Sequence, residues 1–412
     1  MVDPTGKSFL SYRRSRADEA ALLIAAQHLY GIPTWQDIAD LDTGLTARQI
    51  TDALDSPGTA NAVLWITPDV RDSSFMQKIE VPRILDRADS GDGFFEVTVA
   101  AGGLDYERAA ATLDPRLSLH DLRLRNLMQA KTDPITEAFA SEVARRVLKQ
   151  RLKAAHRFHP SGAPLQLRLS TWSTDGPMPG NELMLDWRSH FNGRLAPASV
   201  WRSKLLPALT DLVETVGTQA PERRIEASGK FSFAAALALG SAFRQTGRVR
   251  LDVSQDSRDG SAQLWSVYSR REAVPLAIQS RDDTLDSEDL AVLVSIIVGP
   301  KETENDLALS RAALPKFRGI VQIANTSGVP LVVNRPEEAA DIAWQVRDAI
   351  HEAITRFHPI GTIHLFVAAP VALAVLMGQL FNTLPAVQVY EHVRGASPGP
   401  YQPALWLDPS NS

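Results

Sequence analysis

Two stretches set 138 residues apart decide how the chain folds: "IEASGKFSFAAALALGSAFRQTGRVRLDV", Ile225 to Val253, and "IHLFVAAPVALAVLMGQLFNTLPAVQVYE", Ile363 to Glu391. Aligned without gaps, they share Ile225 with Ile363, Ala234 with Ala372, Ala236 with Ala374, Gly240 with Gly378, Phe243 with Phe381 and Val249 with Val387. Each reads as strand, loop, small-residue helix, strand, and each is followed by a further strand, "AQLWSVY" and "PALWL". Each is also preceded by an apolar strand, a polar loop and a helix, beginning "LQLRLSTWSTDG" and "LAVLVSIIVGPKETEND". Two Ala/Leu helices can match by composition alone, but the flanking strands match as well. The pair predicts two similar α/β halves related by a pseudo-twofold axis, with a cleft between them. Ligands on open α/β sheets sit outside the carboxyl ends of strands, near helix N-termini whose free amides suit phosphate. Those places are "SGKFS", Ser228 to Ser232, "AAP", Ala368 to Pro370, and "GPKET", Gly299 to Thr303. A symmetric ring carrying two or three phosphates suits this layout; a solvated cap is the other reading of Lys230.

Upstream, short apolar runs alternate with amphipathic stretches: "SFLSY", "DEAALLIAAQHLYG", "PTWQDI", "TARQITDALDSP", "NAVLWITP" and "GFFEVTVA". That alternation predicts βα units around a parallel sheet, a flavodoxin-like doubly wound domain over 1–130. An amphipathic helix follows in a linker at 131–162, with a Pro and Gly boundary near its end. The repeat then fills 163–412, its halves at about 163–275 and 285–412.

At 412 residues, with 44% apolar and 22% charged, the chain is long enough for two or three packed units of ordinary globular type. Its longest apolar runs, "AAALALG" and "PVALAVLMGQLF", fall short of the roughly 18 to 20 residues of a spanning helix, so no membrane association is expected. "MVDPTGKSFLSYRR" enters a strand without a secretory leader's pattern, and a cytoplasmic protein is expected. Zero cysteines exclude disulfides, thiolate nucleophiles and Cys-rich zinc sites. Residues 1–150 hold 17 Lys+Arg against 22 Asp+Glu and the remainder holds 26 of each, so neither part offers a polybasic face to duplex nucleic acid. His156, His159 and His358 lack ligand spacing, and no metal site is expected.

The first segment resembles the Toll/interleukin receptor (TIR) domain over about 100 residues. "SFLSYRRS" is similar to that family's opening strand, "YGIPTWQDIADLDTGLTARQITDAL" to its second strand, BB loop and helix, and "AVLWITPDVRDSSFMQKIEVPRIL" to the segment carrying the NAD-cleaving glutamate, here Glu80. Chemistry accommodates a lone carboxylate. Cleaving NAD+ between ribose and nicotinamide expels a neutral leaving group, so no general acid is needed, and one carboxylate beside the ribose stabilises the oxocarbenium-like transition state. The resemblance implies an NAD pocket at Arg13, Trp35, Ser74 and Met76, with Met76 where NAD-cleaving members commonly carry tryptophan. Arg13 or Arg14 is expected to meet the pyrophosphate, but not both, because successive strand residues face opposite ways. Ser73 and Ser74 either hydrogen-bond the ribose or cap the Glu80 helix, with capping expected for one of them. Asp42, Gly44 and Leu45 fall in the BB loop, which in the family packs against a neighbouring TIR domain.

Residues from about Ala163 onward resemble the SAVED domain, a sensor of second-messenger oligonucleotides built from two fused CARF-like halves. The residues that carry this are the repeat itself and the terminal "QPALWL". The whole chain is similar to a TIR-SAVED effector of CBASS anti-phage defence. The resemblance implies a cyclic oligonucleotide, cyclic tri-adenylate among the candidates, that binds the SAVED cleft and drives self-assembly into an oligomer or filament. NAD+ enters as substrate, and no cofactor is implied. Expected cleft residues are Trp172, Lys230, Ser232, Phe233, Lys301, Thr303, Pro370, Tyr390 and Arg394. A non-catalytic TIR scaffold and a cyclase making a cyclic ADP-ribose signal are the alternatives.

Overall fold

Eight consecutive buried residues, Thr59–Ile66, form strand β3, and a strand buried on both faces needs helices above and below it. The computed structural model describes residues 2–35, 46–91, 95–112, 125–158, 163–172, 182–221, 223–256 and 261–408. The chain divides into two units, the first formed by Met1–Arg168, Asp175–Asp186 and Thr215–Pro221, the second by Leu169–Thr174, Trp187–Glu214 and Glu222–Ser412. In the first, β1 (Lys7–Ser11), β2 (Thr34–Trp35), β4 (Glu96–Gly102) and β5 (Met128–Ala130) join β3 in the order β2-β1-β3-β4-β5. Every pairing is parallel. This is the flavodoxin-like doubly wound order, the parallel α/β class that the alternating runs predict.

Helices cover both faces because β3 alternates its side chains. Ala62, Leu64 and Ile66 belong to a core with Ile50, Leu54, Ile84, Leu85 and Ala109, which lie on the helices Thr46–Asp55, Val81–Asp89 and Tyr106–Thr112. Trp65 points the other way, donating Nε1 to Glu19 at 3.0 Å and packing 6.0 Å from Phe139. Those partners lie on the helices Ala17–Leu29 and Glu137–Phe158. Strand order reverses between β1 and β3, and such a reversal opens a crevice at the strands' carboxyl ends.

Arg151, on the Glu137–Phe158 helix, ties the amino-terminal segment down. Its guanidinium donates to the carbonyls of Glu182 at 2.5 Å, Gly6 at 2.6 Å and Thr5 at 2.6 Å. Burial pulls its pKa down to about 10, still charged at neutrality. Arg151→Met keeps the aliphatic stem but strips donors from buried carbonyls. It is expected to cost the first unit about 2 to 3 kcal/mol, read from its thermal unfolding.

The second unit carries the repeat. The division between the units falls within β6 (Leu165–Ser170), and β7 (Leu183–Asp186) is counted in the first; in the second, β8 (Ile225–Lys230) leads into the helix Phe233–Ala242, then β9 (Leu251–Asp256) and β10 (Ala262–Trp265). Strand β8 pairs parallel with β9, which pairs antiparallel with β10. Following β11 (Leu276–Asp282), β12 (Asp289–Ser295) and β13 (Gly319–Asn325), the second copy runs β14 (Thr362–Ala368), the helix Val371–Gln379, β15 (Ala386–His392) and β16 (Tyr401–Leu407). Here too β14 is parallel to β15 and β15 antiparallel to β16. The second copy's sheet has the order β11-β13-β12-β14-β15-β16.

The two repeat helices cross at their shared glycines. A Cβ on Gly240 would overlap the Val375 carbonyl oxygen, and one on Gly378 would lie 2.5 Å from the Leu237 carbonyl oxygen. The Cα of each glycine also lies 3.0 to 3.1 Å from where the other's Cβ would be built. These contacts repeat at the alignment's spacing, which is the signature of a twofold relation between the copies. Both helices are apolar all round because each is buried on every side. Among the described residues, no helix is long and apolar enough to cross a membrane.

Candidate functional site

At the carboxyl end of β1 and β3, two residues distant in sequence meet. Ser11 ends β1, and its hydroxyl donates to Glu80 Oε2 at 2.5 Å. Glu80 closes the wide turn Met76–Glu80, from which the helix Val81–Asp89 continues. Single wide turns of this kind within helices recur at functional sites. The turn is held by Ser73, whose Oγ accepts from the Met76 amide at 3.3 Å, and by Gln77, whose Nε2 donates to the Thr112 carbonyl at 2.5 Å. Glu80 is only 7% exposed, so it is a positioned carboxylate and not a freely solvated helix residue.

Around it the expected pocket residues divide. Arg13 is half-buried, two residues past Ser11, and its Nε is buried without a hydrogen-bond partner, whereas Arg14 is exposed. Trp35 stacks on Phe9 with ring centroids 4.9 Å apart and planes 15° from parallel. Met76 lies in the core. Ser74 is exposed, and Ser73 is the residue that caps the turn. Asp42, Gly44 and Leu45 lie outside the described residues. Ser11 sat in plain view at the end of the opening strand, and only the fold shows that it meets a carboxylate 69 residues away.

In the second unit the expected cleft residues separate into two groups. At the start of the Phe233–Ala242 helix, Ser232 caps by accepting from the Ala235 amide at 3.2 Å, and the Ser232 amide donates to Thr171 Oγ1 at 3.1 Å. Gly229 precedes it with φ +120, and a Cβ there would overlap the Leu169 carbonyl oxygen, so only glycine suits this turn. Lys230 is exposed and Phe233 half-buried. Trp172 is 40% exposed, with the Arg194 guanidinium 5.4 Å over its ring. Across the repeat, Lys301 is exposed at the start of the helix Pro300–Ser310, and Pro370 precedes the Val371 helix. Arg394 is exposed in the turn after β15.

Two of the expected residues face inward instead. Thr303 is buried, sharing Oγ contacts with Ser295 at 2.6 Å and receiving Gln322 Nε2 at 3.2 Å. Tyr390 stacks on Phe366 at 4.5 Å and its hydroxyl meets His364 Nδ1 at 2.9 Å; burial raises its pKa.

A residue outside the expected set occupies this region. Glu391, fully buried, accepts the Ala234 amide on Oε1 at 2.8 Å, at the very start of the Phe233 helix. Burial pushes its carboxyl up to about 7, although the Ala234 amide, Arg194, the Ser232 hydroxyl and the Phe233 amide all favour the charged form. The unfolded chain loses this proton near pH 4.5, whereas the folded chain keeps it until about 7. Stability therefore falls as pH rises from 4.5 to 7 and levels off above. Glu391→Gln should flatten this, making the second unit more stable than wild type at pH 8 by about 3 kcal/mol and equally stable below pH 4.5. Urea unfolding at the two pH values measures it.

Residues 209–407 match the family described as the SMODS-associated and fused to various effectors sensor domain, SAVED. No curated protein matches the chain. A structure of the Acinetobacter baumannii Cap4 SAVED/CARF-domain containing receptor with the cyclic trinucleotide 3'3'3'-cAAA aligns at TM-score 0.50 and 12% identity, covering 97% of this chain and 100% of that one. The same receptor with 2'3'3'-cAAA gives 0.49 and 12%, covering 95% and 98%. The Moraxella osloensis Cap4 SAVED/CARF-domain containing receptor gives 0.46 and 15%, covering 96% and 100%. At 12% identity, the alignment at TM-score 0.50 is a likeness of fold alone. Taken with the paired α/β halves, the match over residues 209–407 means that the chain carries a SAVED domain.

Proposed function

We propose that the protein is a cyclic-oligonucleotide-activated NAD+ glycohydrolase of the CBASS anti-phage type, its first unit a TIR domain and its SAVED domain the receptor. The observation that carries this is the buried Glu80 carboxylate, held by Ser11 at the crevice of a doubly wound sheet, in a chain that also carries a sensor domain. The Acinetobacter baumannii receptor was captured with cyclic tri-adenylates, and a ligand of that class suits the paired halves here.

In this reading the ribose of NAD+ lies against Glu80. As the bond to nicotinamide breaks, positive charge grows on the ribose ring, and the fixed carboxylate stabilises it without reorganising. Ser11 is a positioning residue that fixes the carboxylate's orientation, and Arg13 offers its guanidinium to the pyrophosphate. Ligand binding to SAVED favours an assembled state, and moving the active fraction from about 1% to 99% takes about 5.5 kcal/mol of differential binding. Head-to-tail contacts between copies give open filaments unless the rotation closes.

The test is nicotinamide release by the purified protein with a panel of cyclic di-, tri- and tetranucleotides. One ligand should switch on cleavage and raise the particle mass together. Release by none of them, with mass unchanged throughout, would overturn the reading. Within it, Ser11→Ala should lower kcat about tenfold and leave KM nearly unchanged, since a hydrogen bond to a charged group contributes roughly 1.5 kcal/mol.

A further inference from the structure

A ligand with repeated phosphates, on a receptor with repeated halves, would be expected to place phosphate alike at both helix starts. The start of the ten-residue Phe233–Ala242 helix is already filled. Ser232 Oγ holds the Ala235 amide and Glu391 Oε1 holds the Ala234 amide, the groups a phosphate oxygen would seek. The second Glu391 oxygen, Oε2, is buried there without a hydrogen-bond partner. The carboxylate comes from β15 of the other copy, so the fold itself delivers an anion to the positive end of the helix dipole. The other half is built differently. The repeat position matching Glu391 is Val253, fully buried and apolar, and the position matching Ser232 is Pro370, which supplies no side-chain cap.

We propose that Glu391 is a specificity-determining residue that closes the start of the Phe233 helix to ligand phosphate and so makes the two halves of the receptor inequivalent. This rests on the reading of SAVED as receptor for a phosphodiester ring, and deepens it. What this end offers a ligand is a stacking surface: the half-exposed Trp172 ring with Arg194 over it. A base stacks there irrespective of its identity, while charge repulsion and the lack of free amides turn phosphate away. A cyclic trinucleotide is thereby held in one rotational setting instead of two.

The test uses inorganic sulfate and cyclic tri-adenylate at pH 8, where Glu391 is ionised, on the full chain and on Glu391→Ala and Glu391→Gln. Sulfate binding is read from the NMR shifts of the Ala234 and Ala235 amides. Wild type should show no shift, Glu391→Ala should bind sulfate there at least tenfold tighter, and Glu391→Gln, which keeps an acceptor but loses the charge, about threefold tighter. If Glu391→Ala does not fold, the Gln variant decides. Equal sulfate binding by wild type and variants, or none by any of them, overturns the proposal. If the sulfate shifts follow the expectation while cyclic tri-adenylate and the other cyclic nucleotides bind no form of the protein, the receptor reading fails and the closure of the helix start stands.

Discussion

Gly240→Ala is expected to unfold the SAVED domain at temperatures the wild type tolerates, with a loss of about 3 kcal/mol or more. The new methyl group would be driven into the Val375 carbonyl oxygen and onto the Gly378 backbone. Neither neighbour is a side chain that can swing away, so the helices must separate, and overpacking of this kind costs roughly 1 to 3 kcal/mol even where some relaxation is possible. Separation also strands Ala234, Ala236, Leu237, Leu373, Ala374 and Leu376, all buried between and around the crossing. Gly378→Ala should act alike, because its Cβ meets Leu237 in the reciprocal contact. A 3 kcal/mol loss corresponds to a fall of roughly 10 °C in the Tm of a unit this size. Gly361→Ala is the control: its nearest neighbour would lie 3.7 Å away, and the melting temperature should hold.

Glu80→Gln carries the second large expectation, on rate instead of stability. Glutamine keeps the size and an acceptor for the Ser11 hydroxyl, and removes only the charge. The fold should survive, because a buried carboxylate is costly and its neutral isostere is not. On the proposed NAD+-cleaving function, kcat should fall about 10²- to 10³-fold, as when a pre-positioned electrostatic partner of the transition state is lost. KM should change little, since in the proposed reaction the charge would act on the cation that forms and not on bound NAD+.

How much of this was legible beforehand varies with the distance over which residues interact. The repeat could be read because its identities recur at a fixed spacing, the glycines at 240 and 378 among them; that the helices cross there is shown only by the fold. Parallel β3 could be read from an uninterrupted apolar run. The Ser11 to Glu80 hydrogen bond could not, because it joins elements 69 residues apart that only the 2-1-3-4-5 strand order brings together. Thr303 and Tyr390 stand at the expected element ends, but periodicity turns them inward: Thr303 shares the buried helix face of Leu307 and Ser310, and Tyr390 lies against Phe366. Glu391 left a trace. In β15 it follows Val387 and Val389 at intervals of two, the spacing of the face that is buried, so a carboxylate there had to find a partner inside.

One measurement bears on both the sensor and the carboxylate. Nicotinamide release would be followed for wild type and Glu80→Gln, each with and without the cyclic oligonucleotide found to bind. The account predicts release by wild type only when ligand is present, and none by Glu80→Gln even though it binds the ligand and assembles to the same mass. Release by Glu80→Gln at the wild-type rate, or a ligand-bound, assembled wild type that leaves NAD+ intact, would contradict it.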